Sequence, residues 1–121
     1  MSDHAGSVEI RFDVPATMRD GVTLAADVYA PSSASTSGSG GLPTLLMRTP
    51  YGKHNAVENA WTGVDAVAAA RAGFLVVIQD TRGRFASGGD WDPLRNDAAD
   101  GADSVEWAGQ LPGSSGRVGL F

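Results

Sequence analysis

The chain has 121 residues, 42% of them hydrophobic, and its nine basic and fourteen acidic side chains leave a net charge of −5; that is the size of one globular domain. The acidic balance argues against nucleic acid or an anionic membrane surface as partner, and the lack of cysteine excludes disulfides, thiolate metal sites and a cysteine nucleophile. The first residues do not resemble a signal segment and no apolar run approaches a membrane span, so a soluble, cytoplasmic protein is expected.

Val8, Ile10, Phe12 and Val14 alternate with Glu9, Arg11 and Asp13, the period of a strand with one wet face. Asp20-Gly21 is a tight-turn pair, and Val22, Leu24, Ala26 and Val28 resume the alternation as far as Tyr29, which predicts an antiparallel hairpin. Residues 1–7 read as a disordered terminus, and residues 32–41, rich in Ser and Gly, as a flexible surface loop rather than a domain boundary. The runs at 44–47 and 74–78 are continuously apolar, as in strands buried on both faces of a parallel sheet. Between them Val57, Trp61, Val64 and Ala68 share a helical face, and Arg71 and Gly73 suit a helix end, so a right-handed β-α-β unit is expected. A second helix is expected to begin near Asp97 and Asp100, acids favoured at a helix N-terminus, with Ala98, Ala102 and Val105 inward and its end before Pro112. Residues 117–121 then begin another parallel strand. Five strands and two helices make an α/β fold: an antiparallel hairpin followed by parallel strands with crossover helices.

Several motifs fail on spacing. Ser115 has Gly113 two before it but Arg117 two after it, and Ser114 has Pro112 two before it. Both serines also precede a strand, so neither makes a nucleophile elbow, and the segment 113–116 reads as a turn. Gly83 and Gly88 have the outer spacing of a phosphate loop, but Gly89 and Asp90 stand where Lys and Ser or Thr are required. Asp90, Asp92, Asp97, Asp100 and Asp103 lack the ligand order of a calcium loop, with Leu94 at one ligand position. His4 and His54 have no second histidine near them in sequence. Tyr51 is different: Pro50 bends the chain where the strand ends, placing Tyr51 at the carboxyl edge of the sheet, where open α/β sheets keep their ligands. Two readings stand there, a ring that caps the core and a phenol aimed at a developing negative charge.

Five segments, MRDGVTLAADVYAP, LLMRTPYGK, RAGFLVVIQDTRGRFASGGDW, DAADGADSVEWAG and GRVGLF, lie in order within residues 11 to 121. Together they resemble the Xaa-Pro dipeptidyl-peptidase-like α/β-hydrolases, the cocaine esterase and α-amino-ester hydrolase group. The resemblance implies that residues 1–121 are the N-terminal portion of one α/β-hydrolase catalytic domain, truncated before the nucleophile elbow. It implies ester or amide hydrolysis by an acyl-enzyme route, without metal or organic cofactor. The catalytic Ser would follow about three residues after Phe121, with the Asp and His further downstream, so the chain alone is expected to be inactive. Tyr51 matches the family's oxyanion-hole tyrosine. Asp80 and Arg82, in the DTRG segment, match a motif read as structural, with Arg82 pairing either Asp80 or acids of the second helix. Trp91 is a substrate-pocket candidate, or else packs its loop down. The implied partners are an ester or peptide substrate of the complete enzyme, and a complementing C-terminal chain or a second copy. The alternatives are a non-catalytic binding module and one half of a two-chain enzyme.

Overall fold

The computed structural model describes residues 7–32, 41–53, 65–91 and 93–121. Strands β1 (Val8–Thr17), β2 (Thr23–Pro31), β3 (Leu42–Thr49), β4 (Leu75–Asp80) and β5 (Ser114–Leu120) form one sheet in the order β1-β2-β4-β3-β5. The pairs β1–β2 and β2–β4 are antiparallel; β3 pairs in parallel with both β4 and β5. Helix α1 (Ala66–Arg71) lies on one face and helix α2 (Pro93–Gly109) on the other. Ala26, Val28, Leu46, Leu75 and Val77 meet Ala108 and Leu111 on the α2 side. Tyr29, Val76 and Ile78 meet Ala66 and Ala70 on the α1 side. Among the described residues, no helix is long and apolar enough to cross a membrane.

The hairpin and the parallel unit are where the periodicity puts them, but four details differ. First, β2 is buried from Leu24 to Tyr29 on both faces, because β4 flanks it inside the sheet and helices cover both sides. Second, β1 changes phase: Arg11 pairs with Val28 and Val14 with Ala26, so β1 carries one residue more than β2 between these pairs. That is a β-bulge, with Asp13 in the left-handed region at φ 53°. Val8 therefore packs towards α1 and Val14 towards α2, while Phe12 stays exposed.

Third, α2 begins at Pro93, and its buried stripe is Asp100, Ser104 and Ala108, whereas Ala98 and Ala102 are exposed. Polar groups on the sheet face below α2 select this stripe. Ser104 Oγ donates to Gln79 Oε1 at 2.9 Å, and Arg48 Nε donates to the same oxygen at 2.9 Å. In α1 the inward residues are Ala66 and Ala70, and Ala68 is exposed; Val57, Trp61 and Val64 lie outside the described residues. Asp65 caps α1 by accepting from Ala68 N at 3.1 Å. Fourth, β5 starts at Ser114, so both serines already lie on the strand and the turn precedes them. Of the expected disordered terminus 1–7 and flexible loop 32–41, residues 1–6 and 33–40 also lie outside the described residues.

Surface ion pairs tie the hairpin turn to α2. Arg19 binds Asp103 through Nε and Nη2, with 2.8 Å the shortest contact, and the Arg19 side chain and N–H hold the Asp103 carboxyl below its ordinary value. Arg82 and the Val22 N–H do the same for Asp20. A lowered folded-state pKa stabilises above the ordinary carboxylate value of 3.8 and stops doing so as pH falls through the lowered one. Urea midpoints should therefore fall on acidification below that value, and high salt should weaken the dependence. A midpoint that stays flat on acidification would show that these contacts do not couple to folding.

Candidate active site

Strand β3 ends at Thr49, and four contacts define the chain just beyond it. The Thr49 carbonyl accepts from Thr81 N at 3.1 Å, extending the pairing with β4. Thr49 Oγ1 accepts from Tyr51 N at 3.1 Å, a hydroxyl turn two residues on. The Pro50 carbonyl accepts from Arg84 Nε at 2.9 Å, and Lys53 N donates to Asp80 Oδ1 at 2.8 Å. Gly52 supplies the φ of 96° that the bend needs. Tyr51 is thereby held at the carboxyl edge with its residue 63% exposed. That exposure does not fit a ring that caps the core.

The segment after β4 folds back on itself. Gly83 N donates to Gly88 O at 2.8 Å, and the Ser87 hydroxyl bonds the Asp80 carbonyl while accepting from Ala25 N at 2.9 Å. A Cβ on Gly83 would stand 2.2 Å from Trp91 N, so only glycine allows the loop's two ends to meet. Arg84 lies 5.2 Å from the Trp91 ring centroid and 5.5 Å from that of Phe85.

Arg82 and Asp80 have separate partners. Arg82 makes a bidentate pair with Asp100 of α2, at 2.8 and 2.7 Å, and a second pair with Asp20 of the hairpin turn at 2.9 Å. The Asp100 and then the Asp20 hydrogen bonds raise the guanidinium pKa above its ordinary value. Of the two pairings open to Arg82, the structure contains the one with the second helix. Asp80 instead accepts from the N–H groups of Lys53 and Ala86 and lies 3.8 Å from Lys53 Nζ.

Lys53, Asp13 and Asp27 are the residues that sequence reasoning passed over. The Lys53 side chain is 3% exposed and its ammonium faces Asp13 at 2.7 Å, Asp27 at 3.3 Å and Asp80. Burial alone would push the lysine pKa down, but Asp13, Asp27 and Asp80 outweigh it and leave the value raised. The ammonium stays charged. The sequence signal for this cluster was available: two aspartates in mid-strand, where a charged side chain is rare without a partner.

A cavity of about 260 Å³ opens at the same edge, lined by Arg48, Pro50, Thr81, Arg82, Trp91 and Asp100 among others. It brings Trp91 and Arg82 together with the residue before Tyr51, while Tyr51 and Asp80 are not in its wall. Ser114 Oγ is 2.8 Å from Thr44 Oγ1 at the opposite end of β3 from Tyr51. His4 and His54 lie outside the described residues.

Residues 20–121 match the family described as X-Pro dipeptidyl-peptidase (S15 family). The chain belongs to this family. It is 38% identical over 116 residues to cocaine esterase from Rhodococcus sp. (strain MB1 Bresler), a match covering 96% of this chain and 19% of that protein. An alpha-amino acid ester hydrolase structure aligns with 25% identity and a TM-score of 0.69, over 97% of this chain and 21% of the other. A CocE/NonD family hydrolase from Staphylococcus aureus aligns with a TM-score of 0.77 at 24% identity, over 93% and 23%. The S15 member described here thus spans about a fifth of the length of these relatives, and its mixed sheet is the N-terminal part of their hydrolase fold.

Proposed function

We propose that this chain forms the N-terminal part of a serine hydrolase catalytic domain and gives it one oxyanion donor, the Tyr51 hydroxyl. The observation that carries the reading is an exposed phenol on a backbone fixed at the carboxyl edge of β3, in a chain of the S15 family. In this reading the serine, histidine and acid come from segments matching the remainder of the longer relatives. Serine Oγ attacks the ester or amide carbonyl carbon while histidine takes its proton, and the carbonyl oxygen becomes an oxyanion that accepts from Tyr51. Collapse expels the alcohol or amine with the proton from histidine, and water then hydrolyses the acyl-enzyme. The phenol helps because it is already oriented when the charge appears.

Two expected results test this reading. The chain alone should hydrolyse neither activated esters nor dipeptidyl-proline amides, and a fluorophosphonate probe should leave it unlabelled. Covalent labelling of Ser114 or Ser115 by the probe would contradict this.

The outer edge of β5 favours a second reading, in which this chain works with a complementing chain or a second copy. Leu120 is 69% exposed and lines a groove with Leu46, Val105 and Phe121. An unpaired strand edge with apolar groups beside it is a template for another chain. Light scattering on the purified chain should show dimers or larger species; a monodisperse monomer would count against this reading.

A further inference from the structure

Lys53 is placed as no surface lysine would be. Its ammonium crosses from the loop after β3, over β4 and β2, to the bulge of β1. Each of these three strands offers it one aspartate: Asp80, Asp27 and Asp13. Asp27 and Asp80 are fully buried, and buried carboxylates require a cation or hydrogen-bond donors. The bulge takes part in the arrangement. With Asp13 at φ 53°, its N–H reaches Asp27 Oδ1 at 3.0 Å and its carboxylate reaches Lys53 Nζ. Local backbone strain of this kind persists where the surroundings hold it in place.

The same lysine is fixed through its main chain, since Lys53 N donates to Asp80 Oδ1 at 2.8 Å. Asp80 Oδ2 in turn accepts from Ala86 N at 3.1 Å. One carboxylate therefore joins the loop after β3 to the loop after β4. Two residues before Lys53 stands Tyr51, whose other neighbour is held by Arg84 at the Pro50 carbonyl.

We infer that Lys53 is a positioning residue for Tyr51: its ion pairs with Asp13, Asp27 and Asp80 lock the short segment that aims the phenol. The inference rests on the reading of Tyr51 as an oxyanion donor. An oriented donor needs a backbone that does not move when charge develops. The segment from Pro50 to Lys53 is held by contacts at both ends, from Thr49 and Arg84 at one and through Lys53 at the other. Lys53 supplies the larger part of them at one end, to three strands of the core. The bulge in β1, distant along the chain, serves the same end by bringing Asp13 to the ammonium.

The test is hydrogen exchange on the purified chain with Lys53→Met. A peptide covering residues 48–53 should exchange about tenfold faster than in the wild type, a larger factor than for peptides from β2 and β4, which carry the buried Asp27 and Asp80. Equal acceleration throughout the sheet would overturn the inference, because Lys53 would then support the fold without a specific effect on this segment. No acceleration in residues 48–53 would overturn it as well. If Lys53→Met does not fold, Asp13→Asn removes the shortest ion pair at its more exposed end and should speed the same peptide by a smaller factor. Unchanged exchange there in Asp13→Asn would be contrary. In an active enzyme containing this chain, Lys53→Met should lower kcat with little change in KM, and the loss should vanish in a Tyr51→Phe background. Losses that multiply would also overturn it. Failure of the Tyr51 reading has a separate signature: unaltered turnover in Tyr51→Phe with the segment still protected.

Discussion

Tyr51→Phe, placed in an active enzyme that contains this chain, should lower kcat by about 10²–10³. The reason is the difference between ground and transition states. A substrate carbonyl accepts only a weak hydrogen bond from the phenol, while the tetrahedral oxyanion carries most of a negative charge, so losing the donor raises the barrier by about 2.7–4 kcal/mol. KM should change little, because the interaction is strong only in the transition state. Stability should also change little, because Tyr51 is largely exposed and phenylalanine keeps the ring. The backbone contacts of the segment, from Thr49 to Lys53, use main-chain and neighbouring groups and survive the substitution. Steady-state kinetics with an activated ester checks it. An unchanged kcat would remove Tyr51 from the chemistry.

Asp100→Ala should destabilise the chain by about 3 kcal/mol, at the low end for breaking a buried ion pair. Arg82 and Asp100 have side chains 10% and 4% exposed, and their pairing is bidentate. Removing the carboxylate leaves a guanidinium that is buried against α2 and can satisfy only part of its donors. Asp20 remains as a partner, which is why the low end is expected, but it is 49% exposed and therefore screened. With a urea dependence of about 1.5 kcal/mol per M, the midpoint should drop by about 2 M. Asp20→Ala should cost much less. Equal effects for the two substitutions would mean that the buried half of the pair contributes no more than the exposed half.

The fold class and the strands in chain order followed from patterning that burial enforces. The run from Leu75 to Ile78 is apolar throughout and wholly buried, as a strand covered on both faces requires. The hairpin likewise showed in Asp20-Gly21 and the alternation beside it. The inner face of α2 did not show, because a search for apolar periodicity passes over a stripe of Asp100, Ser104 and Ala108. Two of those three are polar, and they are buried because Arg82 and Gln79 wait for them on the other side. The β1 bulge was hidden for a related reason. Alternation continues in the sequence through Val14, and only pairing with β2 shows that the facing side has changed.

At the site, the position of Tyr51 was legible because Pro50 and the end of an apolar strand fix it locally. Its support was not. Lys53 looks like any loop lysine until Asp13, Asp27 and Asp80 are brought together from three strands, and no local pattern records that meeting. For Trp91 the sequence left two readings, a pocket wall and an aromatic that packs its loop down, and only the close approach of Gly83 to Trp91 and the stacking of Arg84 show how the loop closes.

The most direct test of the central claim is to join this chain, in place of the matching 116-residue segment, to the rest of the Rhodococcus cocaine esterase. Ester hydrolysis and fluorophosphonate labelling would then be measured for the joined protein, for its Tyr51→Phe form and for the chain alone. The account predicts an active, labelled joined protein, a Tyr51→Phe form that is labelled more slowly and turns over about 10²–10³ less often, and a chain that does neither. A folded joined protein without activity, or one whose turnover ignores Tyr51→Phe, would contradict it.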